Sequence, residues 1–498
     1  FDGNLTLAYN KTIDKHMLNV GVGSNIMQSE TEGESFTGVG FINPDMIFIG
    51  AANAFQENTS PQGTYDKSRL VGFFTNVNYG YGNRYFLDFS FRSDGSSKFG
   101  RNSRFAPFWS LGVAWNVHNE SFWHAHEKNA LKLRASVGST GTTNFSSTQA
   151  LTTYLYDFSR EYNGNFGVSL AGYGNSSLKW QTTLSYNVGV DFTFLHGLVV
   201  FNGDFYIKNT RSLLLPVTVA PSTGFIDYVE NIGKLRNTGV EARLRFNLIQ
   251  DAVKDLRWNV TLSAFHNRSK IIQLSNQLET INQYANDDRA NQGTVVYRQF
   301  EAGRSQTALM VVRSGGIDPA TGNEIYIKRN GEMTFEYNHN DKIECGDMKP
   351  KIEGNVNTNL NWKGFNLYML FKYQYGGKIY NATLASKVEG VNPLKNADKR
   401  VLYDRWKEPG DHAKFRRIDD TSAPYQTTRL VFDNNLVALQ SVSLSYELPR
   451  KISQKMYMER VKLLLSSTDL FRLSSVKQER GTSYPFARTF SIGLNVTF

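Results

Sequence analysis

Three groups of residues have the types and spacing to do chemistry. "HAHE", from His124 to Glu127, could supply a pair of divalent-metal ligands, but a zinc centre takes three or four protein ligands and no third lies close by in sequence. The stretch reads as a solvated turn. In "GGIDPATGNEIYI", Asp318, Asn323 and Glu324 offer oxygen ligands, yet their spacing is not that of a calcium loop, and an Asp-Pro followed by Thr-Gly-Asn builds a turn without a cation. The lone cysteine, Cys345, rules out a disulfide framework and a thiolate metal cluster. The eight histidines are scattered over turns, loops and strands, and no grouping of serine, histidine and acid marks a hydrolase. No catalysis, metal or cofactor is therefore expected.

A second set suits binding better than catalysis. Asp88 and Arg92 share one face of "RYFLDFSFR", and Asp191 lies on the polar face of its own strand, where all three could line a solute path or pair with neighbouring wall charges. Tyr154, Tyr156, Phe158, Tyr162 and Phe166 in "YLYDFSREYNGNF" could stack on sugar rings or pack loops together. The elements that must position these residues are strands. Aromatics make up 13% of the chain and Gly is abundant, a mix that favours many short amphipathic strands over helices with apolar stripes. No stretch approaches the ~20 apolar residues of a membrane-spanning helix. The net charge of +10 is spread thinly, without a dense basic run, so nucleic acid is not the expected partner.

The strand code is explicit in several places. In "LSYNVGVDFTF", Leu184, Tyr186, Val188, Val190, Phe192 and Phe194 alternate with Ser185, Asn187, Gly189, Asp191 and Thr193. In "NVNTNLNW", Asn355, Asn357, Asn359 and Asn361 alternate with Val356, Thr358, Leu360 and Trp362. A face made only of asparagine needs water, and the apolar face opposite then needs lipid or a second sheet. Short connections such as "GYGNR", "LHG" and "WKG" alternate with long polar segments near residues 29 to 68, 139 to 178, 210 to 235, 270 to 349 and 379 to 433. That alternation predicts an all-β, antiparallel transmembrane barrel with short periplasmic turns and long extracellular loops. Aromatics at strand ends, among them Tyr79, Tyr85, Trp115, Trp180, Trp258 and Trp362, fit its interfacial girdles. About fifteen strands are expected, each near ~10 residues. An odd number leaves a bacterial barrel open, so residues 1–498 read as the C-terminal portion of a larger one. Strand-like alternation begins at once with "NLTLAYN", with no basic n-region or apolar h-region before it, so any secretion signal is expected to have been removed or to lie upstream.

From about Tyr79 onward the chain resembles the SusC/RagA family of TonB-linked outer-membrane transporters. The resemblance rests on "RYFLDFSFRSDGSSKFG", "FAPFWSLGVAWNVHNESF", "LKLRASVGSTGT", "LKWQTTLSYNVGVDFTF", "NIGKLRNTGVEARL", "DRWKEPGD", "SVSLSYELP" and "YPFARTFSIGLNVTF", in the family's order. It implies a roughly 22-stranded barrel filled by an N-terminal plug, with plug and TonB-contact segment expected upstream of Phe1. It also implies energy-coupled import, with TonB, a SusD-like surface lipoprotein and membrane lipid as partners, and admits a dimer of transporter–lipoprotein pairs. Both oligosaccharides and oligopeptides are substrates in this family, and an oligosaccharide is the expected one; a passive porin is the remaining alternative. By the same resemblance the terminal "FSIGLNVTF", with Leu494, Val496 and Phe498 on its apolar face, is a barrel-insertion signal. The chain departs from the family at Thr468, Asp469 and Leu470, where an Asn-Leu pair is usual.

Overall fold

The computed structural model describes all residues except 44, 47, 57–61, 101–102, 125–127, 143–149, 219–226, 275–281, 283–298, 393, 395–396 and 477–487. For residues 62, 155–162, 166, 171, 215–218, 227–228 and 232 it describes the backbone alone. Fifteen strands form one antiparallel sheet in which every strand pairs with its neighbours in sequence. They are β1 (Asp2–Ile13), β2 (His16–Ser35), β3 (Gln62–Tyr81), β4 (Tyr85–Ser96), β5 (Phe105–Asn116), β6 (Ala130–Thr142), β7 (Gln181–Phe194) and β8 (Val199–Thr218). The series continues with β9 (Asp227–Asp251), β10 (Leu256–Gln273), β11 (Ile352–Trp362), β12 (Phe365–Tyr380), β13 (Val431–Glu447), β14 (Arg460–Ser474) and β15 (Thr489–Thr497). The up-and-down order and the strand count agree with the expected barrel wall. Among the described residues β1 and β15 are not bonded to each other.

Register carries one polar face across β6 to β11. Asp191 lies opposite Lys132 and Asn202, Gly189 opposite Arg134 and Asp204, Asn202 opposite Arg243, and Ser263 opposite Arg243 and Asn355. The other face is continuous and apolar. Val188 lies opposite Ala135 and Phe205, Phe205 opposite Val240, and Leu244 opposite Leu262, which in turn faces Val356. These apolar side chains are open: Val188 is 60% exposed, Val240 48% and Leu465 50%. A belt of bare apolar side chains around a polar interior is what a lipid-embedded wall requires. No helix of the described residues is long and apolar enough to cross a membrane.

The short turns are locked individually. In the turn after β5, the Glu120 carboxylate accepts from Tyr85 Oη at 2.6 Å, Trp115 Nε1 at 3.0 Å and Arg84 Nη1 at 3.3 Å. Two aromatics of the expected periplasmic girdle are thereby held by their polar tips. At the family departure, Asp469 adopts φ 54° in a β-bulge, where Thr468 pairs with Ser441 and Phe471 with Leu439. An aspartate tolerates that left-handed backbone better than a branched residue would.

The long connections differ from simple loops. β2 and β3 pair as far as Ser35 and Gln62, and β8 and β9 as far as Thr218 and Asp227, so two of the expected loop regions are partly strand. The connection between β10 and β11 holds a separate four-stranded sheet of Ala308–Ile317, Glu324–Ile327, Met333–Thr334 and Lys342–Asp347. It packs with the β12–β13 connection, which contributes a π-turn at Leu384–Glu389 and the Val312–Thr427 bridge. Together these two connections form an outer cap with its own core, in which Leu309, Val311, Val312, Ala385, Val388 and Leu430 are buried.

Candidate functional site

The charges of the inner wall are cross-linked. Arg134 on β6 donates from Nε to Asp191 Oδ2 at 2.8 Å and from Nη2 to Asp204 Oδ2 at 3.2 Å, bridging β7 and β8. Asn202 donates to Asp191 Oδ1 at 2.8 Å. Gly189 makes the cluster fit, since a Cβ there would lie 2.5 Å from Asp204 Oδ1 and 2.8 Å from Arg134 Cζ. Its side chains remain about a third open to the interior, at 34% for Arg134 and 31% for Asp191. Nearer the outer side, Arg92 donates to Asp94 Oδ2 at 2.7 Å and to Asn25 Oδ1 at 2.6 Å, and at the height of Asp191 Asn78 donates to Asp88 Oδ1 at 2.6 Å. On β11 and β12, Asn361 and Asn366 both donate to Asn359 Oδ1, at 2.8 and 3.2 Å. The wall therefore offers a lattice of amides and paired charges with acceptors and donors to spare.

Of the residues singled out from sequence, Asp88, Arg92 and Asp191 all lie on this inner face, in three separate groups: Asp191 with Arg134 and Asp204, Arg92 with Asp94, and Asp88 with Asn78. Tyr154 stands apart, 62% exposed on a hairpin of Thr153–Tyr162 and Asn165–Gly172. Tyr156 and Tyr162 lie on that hairpin too, with side chains outside the described residues, as are residues 125–127 of "HAHE". His124 Nδ1 lies 2.7 Å from the carbonyl of Phe122. Asp318 accepts from the amides of Ala320 and Thr321 and from Thr321 Oγ1 at 2.6 Å, the turn expected of it. Among the described residues no group of three potential metal ligands occurs. Leu494 is exposed on the apolar face of β15, Val496 is half-buried opposite Val461, and Phe498 is 87% exposed.

What sequence reading missed is the ionic core of the cap. Glu389, fully buried, takes Arg416 Nε at 2.9 Å and Arg429 Nη1 at 2.9 Å, and Arg429 Nη2 reaches Glu324 Oε2 at 2.9 Å. Thr427 Oγ1 donates to Glu324 Oε1 at 2.6 Å, and Arg416 Nη1 to Asp420 Oδ2 at 2.6 Å. Burial opposes charge on Glu389, but Arg429 and Arg416 outweigh it and hold the carboxyl below its usual range. Arg429 is likewise desolvated, and Glu324 and Glu389 push its ionisation further up. Glu324 had looked like part of a surface turn, because nothing in "TGNEIYI" announces that its partners lie more than a hundred residues away. The network ties the two outer connections into one body beside the wall.

Residues 1–299 match the family described as TonB dependent receptor-like, beta-barrel. This chain belongs to the TonB-dependent receptor β-barrel family. The family is one of outer-membrane transporters, and the receptor wall described here lies in the bacterial outer membrane. Among relatives, the receptor chain is 26% identical to TonB-dependent receptor P3 of Formosa agariphila, over 99% of its own length and 52% of that protein's. It is 27% identical to TonB-dependent receptor SusC of Bacteroides thetaiotaomicron over 64% of its length and 32% of the relative's. Its fold superposes on the structure of the RagAB peptide transporter with a TM-score of 0.85 at 22% identity, covering the whole chain and 55% of the other. The chain spans about half the length of the curated relatives it matches across nearly its whole length.

Proposed function

We propose that residues 1–498 form the C-terminal part of the barrel of an energy-coupled importer that takes a large nutrient, foremost an oligosaccharide, across the outer membrane. In this reading the plug and TonB-contact segment lie upstream, and a SusD-like lipoprotein closes the outer side. The observation that carries it is the polar inner face of β6 to β11 beneath an ordered cap, in a chain whose relatives include a receptor named SusC. Amide and hydroxyl groups on that wall, such as Asn355, Asn357, Asn359 and Ser263, can exchange hydrogen bonds with sugar hydroxyls without a fixed register. The Arg134–Asp191–Asp204 cluster and the Asp88 and Arg92 pairs would line the path, with Tyr154, Tyr156 and Tyr162 standing where an arriving solute meets the outer hairpin. Leu494, Val496 and Phe498 would serve as the insertion signal of the last strand. Import of oligopeptides by the same machinery is the second reading, supported by the fold shared with a peptide transporter.

The test is growth of a strain lacking the receptor gene on single nutrient classes. Loss of growth on one oligosaccharide class, restored by the wild-type gene, is the expected result; loss confined to peptide media would transfer the assignment to the second reading. A purified receptor that conducts ions steadily in planar bilayers, without substrate or applied force, would instead mean a passive pore.

A further inference from the structure

The outward face of the wall changes character over three adjacent strands. On β8, Val199, Phe201, Phe205 and Ile207 face outward, and on β9 so do Phe246, Leu244 and Val240. On β10 the outward set begins with Trp258, Val260 and Leu262. About ten residues along each strand, the length that a tilted membrane strand needs to cross the hydrocarbon, the apolar run stops. Past that height the outward positions turn basic: Arg211 on β8, Lys234 and Arg236 on β9, Arg268 and Lys270 on β10.

Register gathers these five side chains. Arg211 lies opposite Lys234, Arg236 opposite Asn209 and Lys270, and Arg268 opposite Thr238. All five are exposed. Among the described residues none of them makes an ion pair; the one side-chain contact is Arg236 Nε donating to Asn209 Oδ1 at 2.8 Å. The inner side at this height is closed, with Thr210, Leu235, Ser269 and Ile271 all buried, so the cations have no route inward. Elsewhere on the outer part of the wall Lys67 is neutralised by Glu30 at 3.1 Å. Like charges set side by side across strands repel, so an unpaired cluster persists where something anionic covers it.

We infer that Arg211, Lys234, Arg236, Arg268 and Lys270 form a binding site for the phosphorylated headgroup of an outer-leaflet lipid, whose acyl chains lie on the apolar belt directly below. The site sits at headgroup height, is continuous with the lipid-facing surface, and combines guanidinium forks with ammonium groups suited to phosphate oxygens. This goes beyond the transport reading and does not depend on which solute is carried.

The experiment uses the full receptor in nanodiscs of phosphatidylcholine with and without phosphatidylglycerol, with native mass spectrometry of the retained lipid. Wild type is expected to retain phosphatidylglycerol preferentially. The Arg236→Gln, Arg268→Gln, Lys270→Gln triple variant should lose that preference by on the order of 10²-fold, since each cation near a charged membrane surface contributes roughly a fivefold factor. The Arg236→Lys, Arg268→Lys variant should keep most of it, which also guards against a triple variant that inserts poorly. Equal retention by wild type and triple variant, or no preference of wild type for phosphatidylglycerol over phosphatidylcholine, would overturn the site. Displacement of the lipid by inorganic phosphate at equal concentration would overturn the lipid headgroup as occupant.

Discussion

Glu389 shows what single residues contribute to this receptor. With Arg416 and Arg429 both on its carboxylate, Glu389→Ala removes the one acid they share and leaves Arg416 only Asp420 and Arg429 only Glu324, which should cost the cap about 3 kcal/mol. Limited proteolysis should then cut within residues 381–430, while the heat-dependent gel mobility of the barrel stays as in wild type; unchanged protease resistance would contradict the network's role. The sign of its pH dependence comes from the depressed carboxyl. The stabilisation is present above the ordinary glutamate range and is lost as pH falls through the lower folded value, so the cap should outlast pH 4.5. Cys345 offers an independent probe. Its Sγ donates to the Leu309 carbonyl at 3.2 Å, and burial pushes the thiol up to about 11. At pH 8 iodoacetamide should label it slowly in the native receptor and rapidly after denaturation, as read by intact mass.

At the scale of elements, the wall and the cap obey different rules. A strand presents one face to lipid and one to water, so position parity decides the cost of a charge. Val190→Arg or Leu494→Arg should cost about 2–4 kcal/mol at mid-membrane depth, whereas Asn357→Arg on the inner face should be mild. Urea titration of the three variants refolded into lipid vesicles measures this, and equal sensitivity of both faces would refute the register. The cap's sheet carries Lys342, which burial lowers to about 8. Between that value and its ordinary 10.5 the unfolded state holds more protons, so raising pH stabilises the cap. Cys345 acts in the opposite sense from 9.0 upward, because its folded thiol keeps its proton to about 11. Protease resistance of the cap should accordingly rise from about pH 7 to 9 and then level off.

For the molecule as a whole, the proposed assembly is testable by mass. Extraction from native outer membrane in mild detergent should yield a polypeptide well above 56.4 kDa, accompanied by a surface lipoprotein. A chain of 56.4 kDa without a companion would remove the support for a plugged, lidded importer. In the proposed assembly further strands upstream complete the wall, since an open edge in lipid would leave a row of unpaired backbone groups that cost several kcal/mol each.

The sequence by itself determined the wall. Alternation in "LSYNVGVDFTF" and "NVNTNLNW" reflects the two-residue period of a strand, a property of the backbone that needs no knowledge of neighbours. The order of short turns and long loops, the inner placement of Asp88, Arg92 and Asp191, and the family motifs were legible for the same local reason. Only the tertiary structure decided who pairs with whom. Asp191 meets Arg134 from 57 residues away, Glu324 meets Arg429 from 105 away, and the basic outward cluster draws on three strands. Such contacts depend on register and on the packing of separate loops, and electrostatic partnership between distant residues leaves no periodic trace in the chain.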